Sequence, residues 1–441
     1  MMQMSKFLKT TFILVIVFLT FSLIGCQEEE NPATGEYIVE FVDFDGTVLK
    51  SITCQVGESC DIIAPTVPDQ LNPNYKENSY FLRWSVFEED FGLINQDTTI
   101  KAIYSLDNRL VTFFNHSVVF YSFFIISGIT IALLLGLKES KRIGINKDDL
   151  LDGFLWIVPV SILGARLWYV IFEWSNFVYG HGLIDGVWRS FLRVIGFSTG
   201  YLDFSHFGLS GLAIHGAFVT AVICSYFFTK KRKIDIFKVI DIIAIGFIVA
   251  QAFGRWGNFF NQEAHGGIVG GYTGTITNAV ANLSIKEQYD FLRYTVHIPE
   301  FIVNNMYIPR GFHNLSQEPV TGFYHPTFFY ESTINLVGFG IMLILRRIKK
   351  IHFGELLSFY LIWYGGLRIF IETMRTDPLT FDFLGITFKS AIVTSVIMII
   401  SGITLSVIIR IKRKNMTYET VPGYFGYKKE IANKAKDKDE D

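Results

Sequence analysis

Seven apolar runs, each close to 20 residues long, dominate the chain from about residue 115 onward: 118–137, 154–173, 208–228, 236–254, 327–345, 354–373 and 387–410. A helix of that length matches the hydrocarbon thickness of a bilayer, and in lipid only a helix satisfies the backbone polar groups of a lone segment. Half of the 441 residues are hydrophobic and 18% are charged, a balance of the membrane class rather than of a soluble globule. The expected fold class is an α-helical polytopic membrane protein with about seven transmembrane helices, preceded by a small extracellular β-rich domain. A net charge of −2 gives no reason to expect a nucleic-acid partner. The first partner is the lipid bilayer itself.

Basic residues orient the runs. Lys138, Lys141 and Arg142 follow the first, and Lys230, Lys231, Arg232 and Lys233 lie between the third and fourth. Arg346, Arg347, Lys349 and Lys350 follow the fifth, and Arg410, Lys412, Arg413 and Lys414 follow the seventh. Every second connection is basic, which places those connections in the cytoplasm and the N-terminal part outside. The long connection at about 266–325 then forms an extracytoplasmic head on a membrane domain spanning 115–412, and the polar tail 413–441 is cytoplasmic.

Residues 1–26 read as a secretory signal, with Lys6 and Lys9 ahead of an apolar stretch. The end, Leu23-Ile24-Gly25-Cys26, resembles a lipobox, in which Cys26 is lipid-modified and becomes the mature N-terminus. An uncleaved anchor helix with an incidental cysteine is the plainer alternative. Residues 27–108 change character: YIVEFVDFDGTVL alternates apolar and polar residues around Asp45-Gly46, a strand–turn–strand signal. The stretches FLRWSVF and TIKAIYSL read as further strands, and Cys54 and Cys60 are available for a disulfide outside the cell. The pattern resembles the small β-grasp repeats of bacterial cell surfaces, the Listeria–Bacteroides type, and implies a binding or spacer module.

The densest chemistry lies at 253–267, FGRWGNFFNQEAHGG, on the end of the fourth run. An arginine at the edge of a hydrocarbon-length helix is costly unless it meets an anion, so Arg255 marks a candidate site. A snorkelling interfacial arginine before a polar loop is the bland alternative. Other polar residues of the runs gather toward the same outer side: Tyr121, His215, His325, Tyr364 and Arg368, with Glu372 and Arg375 just beyond. Snorkelling residues would favour both interfaces, so the one-sidedness points to a single site facing outward. No C-x-x-C pair or Cys/His cluster suggests a metal, and nothing resembles a nucleotide loop.

Arg255, Gly257, Asn258, Asn261, Glu263 and Gly266 sit at the spacing of the G-R-x-G-N-F-x-N-x-E-x-x-G signature, and the chain resembles the prolipoprotein diacylglyceryl transferases there. The likeness extends over about 115–412. Tyr121 matches an early tyrosine, and Gly164-Ala165-Arg166 and His215-Gly216-Ala217 match G-G-R and H-G-G elements with one glycine replaced in each. His325-Pro326 with Tyr330-Glu331 matches H-P-x-x-x-Y-E, and Tyr364, Gly365, Arg368, Glu372, Arg375, Asp377 and Pro378 match the late element.

The resemblance implies transfer of the diacylglyceryl group of phosphatidylglycerol to the thiol of the lipobox cysteine of prolipoproteins, at the outer face of a bacterial cytoplasmic membrane. A thioether forms, glycerol 1-phosphate leaves, and no cofactor or metal is called for. A departing phosphate needs fixed cations, and the arginine fork suits it, so Arg255 and Arg368 are the expected clamp. A thiol of ordinary pKa, about 8.5, needs a base, with His215 as the first candidate and Glu263 as the second. Asn258, Tyr121 and Tyr364 are expected to bond the headgroup, and Gly266 to let backbone come close to substrate. Arg166 has a structural alternative, pairing with Glu173 or a helix end. Two other classes stay in view: a non-catalytic polytopic receptor that binds through the β module, and a different lipid-handling enzyme such as a phosphoglycerol transferase.

Overall fold

The computed structural model describes residues 35–66, 79–113, 116–172, 183–195, 214–275, 278–310, 319–375, 380–383 and 386–420. The signal segment with Cys26, Glu173, Asp377, Pro378, the tail beyond 420 and the side chain of His215 lie outside the described residues. The chain divides into two compact units. One comprises Met1–Phe123, Arg255–Glu331 and Ile371–Leu379; the other comprises Phe124–Gly254, Ser332–Phe370 and Thr380–Asp441.

The first unit opens with a four-stranded sheet: β1 (Glu36–Val42), β2 (Val48–Gln55), β3 (Phe81–Trp84) and β4 (Thr98–Tyr104). Its spatial order is β2-β1-β4-β3, with β1 and β4 parallel in the centre and both flanking pairs antiparallel. Strand alternation sends Tyr37, Val39 and Phe41 to one face, where they pack with Trp84, Phe91 and Ile100 in a small core of their own. Gly46, at φ +87°, closes the β1–β2 turn in the left-handed region that glycine enters freely. A disulfide joins Cys54 at the end of β2 to Cys60.

The rest of this unit is built from short elements: a hairpin of Tyr272–Thr273 and Val280–Ala281, single helical turns Ile285–Asp290 and Glu300–Asn304, and paired strands Tyr307–Ile308 and Gly322–Phe323. Ser284 and Glu287 form a reciprocal capping box at the first turn. Gln288, fully buried, donates to the carbonyl of Leu283 and accepts from the amide of Phe323. A core of Phe259, Ile268, Leu292, Ile302, Ile308 and Phe323 holds these pieces together.

Eight helices exceed ten residues among the described residues: α1 (Phe120–Ile143), α2 (Lys147–Phe172), α3 (Leu183–Ile195), α4 (Ile214–Arg232), α5 (Ile236–Phe260), α6 (Thr327–Leu345), α7 (Glu355–Met374) and α8 (Ser390–Lys412). All but α3 fall on the seven apolar runs. Five of them, α1, α2, α5, α6 and α8, are long and apolar enough to cross a membrane. The other two carry more charge: Lys230, Lys231 and Arg232 end α4, while Glu355, Arg368 and Glu372 lie on α7. Large apolar side chains such as Ile126, Leu134, Trp156, Phe227 and Ile411 stand exposed on these helices, as a lipid-facing surface requires. The protein is a largely helical, multi-pass membrane protein.

α3 was not expected from the apolar runs, because it is amphipathic rather than uniformly apolar. It exposes Val187, Trp188 and Phe191 and buries Leu192. Within the second unit, small residues let helices approach closely. A Cβ on Gly216 of α4 would lie 2.4 Å from the Gly164 carbonyl oxygen of α2, so this crossing is tight.

Buried polar groups fix one end of this unit. Glu139 of α1 meets Arg346 at 3.2 Å, Arg347 at 3.4 Å and Arg142 at 3.6 Å. Asp241 of α5 accepts from the amides of Gly354 at 2.8 Å and Leu357 at 3.2 Å and from the Tyr418 hydroxyl at 3.0 Å. A carboxylate at the N-terminus of α7 also suits that helix's dipole.

Candidate active site

The signature falls where α5 runs out. Arg255 and Asn258 are three residues apart and share a helix face. One guanidinium nitrogen of Arg255 donates to Oδ1 of Asn258 at 3.3 Å, and another pairs with Glu331 at 2.8 Å. Glu331, in the first turns of α6, is 1% exposed, whereas the Arg255 side chain keeps 21% of its surface. Beyond Phe260 the chain reverses through Gln262 and Ala264, both left-handed at φ +52° and +57°. The reversal brings Glu263 back to α5, where its Oε1 accepts from Nδ2 of Asn258 at 2.9 Å and of Asn261 at 3.2 Å. Asn258 therefore uses both ends of its amide, accepting from the cation and donating to the carboxylate. Glu263 itself is exposed.

Glu331 is a carboxylate that holds Arg255. Sequence reasoning quoted Glu331 in its Y-E element but gave it no role; its signal was a carboxylate at the start of an apolar helix. The pairing leaves a guanidinium held in a fixed direction with part of its surface outward, a preorganised cation for an anionic oxygen.

Tyr121, in the first turn of α1, covers Gly257: a Cβ there would come within 2.5 Å of the tyrosine ring. Beside it Phe120 stacks on Phe260 with centroids 4.1 Å apart. Gly266 gives its N–H to the His325 carbonyl at 2.8 Å and forms an isolated bridge with Arg375. Gly267 donates to the Met374 carbonyl at 2.9 Å. A Cβ on Gly266 would meet His325, Thr327 and Met374 at about 3 Å, which makes this glycine a packing position.

The Nδ1 of His325 lies 3.2 Å from the Tyr330 hydroxyl, and burial lowers its pKa below the ordinary histidine value. Its imidazole is therefore neutral at neutral pH. His265 is buried edge-on to Tyr324, with Nδ1 2.9 Å from the Gly266 carbonyl. Among the described residues no group of three or more His, Cys, Asp or Glu is arranged to hold a metal ion.

Tyr364 and Arg368, four residues apart on α7, belong to the second unit, where Tyr364 stacks on Tyr360 at 5.8 Å. His215 occupies the first turn of α4. Arg166 donates from Nε to the Val194 carbonyl at 3.0 Å and from its terminal nitrogen to the Arg193 carbonyl at 2.7 Å. One of the roles foreseen for it, the bond to a helix end, is present at the C-terminus of α3, while Glu173 lies outside the described residues.

Fold and site together define an integral membrane protein with a polar, arginine-centred cluster at a helix end. Residues 108–408 match the family model described as prolipoprotein diacylglyceryl transferase. The phosphatidylglycerol–prolipoprotein diacylglyceryl transferase of Listeria innocua is 36% identical over 312 residues, covering 71% of this chain and 93% of the relative. Its namesake in Clostridium novyi is 39% identical over 295 residues, or 67% of this chain and 93% of the relative. That of Lysinibacillus sphaericus is 35% identical over 294 residues, or 67% and 89%. The chain belongs to the prolipoprotein diacylglyceryl transferase family.

Proposed function

We propose that the protein transfers the diacylglyceryl group of phosphatidylglycerol to the thiol of a prolipoprotein lipobox cysteine. The observation that carries this reading is Arg255, held by buried Glu331 and by Asn258 inside the stretch that matches the family.

In the reaction the thiolate sulfur attacks the glyceryl carbon that bears the phosphate. A C–S bond forms, the C–O bond breaks, and the electron pair leaves on the oxygen of glycerol 1-phosphate. Arg255 and Arg368 clamp the departing phosphate, where a charge-assisted, fork-shaped donor is strongest. The thiol proton goes to His215 or, failing that, to Glu263, whose exposed carboxylate bonds Asn258. Asn258, Tyr121 and Tyr364 bond the headgroup. Gly266, its N–H given to His325, serves by letting the strands behind the site come close.

Seven helices cross a bacterial cell membrane in this reading, with the short-element head and the β module outside and the Lys/Arg-rich connections inside. The module, residues 27–108, is of β-grasp type, and Cys26 is lipidated, so that the transferase is also a substrate of its own chemistry. Mass spectrometry of the mature N-terminus tests this: an unmodified Cys26 or an intact Met1 would sink it.

The central test is purified protein with phosphatidylglycerol and a lipobox peptide, following glycerol phosphate and peptide mass. The expected product carries diacylglyceryl on the cysteine and is lost in Arg255→Ala. A well-folded wild type that yields no such product would overturn the reading.

A further inference from the structure

The β sheet lies outside the matched stretch, yet it is fastened to the signature loop. Tyr80, just before β3, donates its hydroxyl to Oε1 of Gln262 at 3.1 Å. Gln262 in turn donates its amide to the Asn305 carbonyl at 3.1 Å. Three residues on from Tyr80, Arg83 donates to Oδ1 of Asn304 at 2.6 Å.

The Arg83 guanidinium also lies over the rings of Phe87, Tyr289 and Phe323 at 4.7, 5.3 and 5.4 Å. It is 8% exposed, and burial brings its pKa down to about 10, so it stays charged at neutral pH. Phe87 stands edge-on to Tyr289 and Phe323, and Lys286 pairs with Asp90. A charge desolvated among aromatic rings of another element is tolerated only while the two stay together. A loosely tethered spacer has no use for such a contact.

Gln262 gives the docking its meaning. It stands between Asn261 and Glu263, buried and at φ +52°, a conformation that a residue with a Cβ resists unless its surroundings hold it. Tyr80 and Asn305 are partners that hold its side chain there. The same turn carries Glu263 back to Asn258 and Asn261.

We infer that the β module is a brace for the transfer site: Tyr80 is a positioning residue that fixes the Gln262 turn and, through it, Glu263. Arg83 fastens the module to the head. The inference rests on the role given to Glu263 above.

The test uses the full-length protein in detergent with phosphatidylglycerol and a lipobox peptide, comparing Tyr80→Phe, Gln262→Gly, the double variant and Glu263→Gln. Tyr80→Phe keeps the ring and removes the hydroxyl that bonds Gln262, so kcat should fall about fivefold to tenfold with the peptide KM and the thermal midpoint unchanged. Glycine adopts the left-handed turn without help, so Tyr80→Phe should have no further effect in the Gln262→Gly background.

A kcat loss of equal size in both backgrounds would overturn the brace, as would a change confined to KM or to the midpoint. Glu263→Gln slow beside Tyr80→Phe at the wild-type rate would sink the brace alone. Tyr80→Phe slow beside Glu263→Gln at the wild-type rate would remove Glu263 from the reaction and keep Tyr80 as the residue that fixes the turn.

Discussion

In the second unit Glu139 is buried against three arginines within 3.6 Å, whereas in the first unit Arg255 pairs with buried Glu331 and keeps 21% of its side-chain surface. Asp241 repeats the first pattern, accepting from two backbone amides and a tyrosine hydroxyl while 1% exposed. All these charges sit near ends of membrane-length helices, where a lone ion would be costly. The difference lies in closure. Glu139 and Asp241 are surrounded by their counter-groups, which suits holding helix ends together. The Arg255 cluster is anchored by Glu331 and leaves part of the guanidinium exposed, which suits meeting an anion that comes and goes.

The sharpest way to break the comparison is to disarm both clusters alike. Arg255→Ala should cut transfer by about 10²–10³, the usual effect of removing a preorganised charge from a reaction site. It also takes a cation away from buried Glu331, and breaking a buried pair by removing one partner costs about 3–5 kcal/mol. Arg255→Met with Glu331→Leu should therefore recover the thermal midpoint but not transfer. The matching pair, Glu139→Leu with Arg346→Met, should leave transfer within about twofold of wild type. Transfer lost equally in both doubles would mean that the two clusters do not differ in kind.

Asp241→Ala tests closure without touching Arg255. It leaves the amides of Gly354 and Leu357 and the Tyr418 hydroxyl without their acceptor, at a cost of about 2–4 kcal/mol. Chemical or thermal denaturation in detergent should show that loss, with kcat of the folded protein unchanged. A smaller cost comes from Gly216→Ala. Its new Cβ would stand 2.3 Å from the Trp168 Cβ and 2.4 Å from the Gly164 carbonyl oxygen, so α2 and α4 must part, at about 1–3 kcal/mol by the same measurement.

What could be read in advance follows the same division. Each apolar run became a helix because lipid leaves a lone segment no other way to satisfy its backbone. Asn258 and Glu263 could be placed beside Arg255 because all lie within a few residues on one helix end. Glu331 could not be assigned to Arg255, since only the packing of α6 against the signature pairs them. α3 escaped because its apolar residues mark one face rather than a length, and Arg166 found its use only once that helix existed. Gln262 was passed over between two marked residues, as nothing in a glutamine announces a left-handed backbone.

The smallest expected effect concerns His325, which belongs to neither pattern. It is a half-buried imidazole whose ring contacts include the Tyr330 hydroxyl at 3.2 Å and the edge of Phe291. Burial lowers its pKa, so the folded protein resists a proton that the unfolded chain accepts. A group depressed in this way contributes stability above its unfolded value, about 6.5, and loses it as pH falls through the lower folded value. Thermal midpoints in detergent from about pH 8 to about pH 5 should therefore decline below about 6.5, and His325→Gln should flatten part of that decline. An unchanged slope in the variant would show that other groups set the acid sensitivity. A flatter slope in the variant would show that His325 is a group the fold must keep neutral.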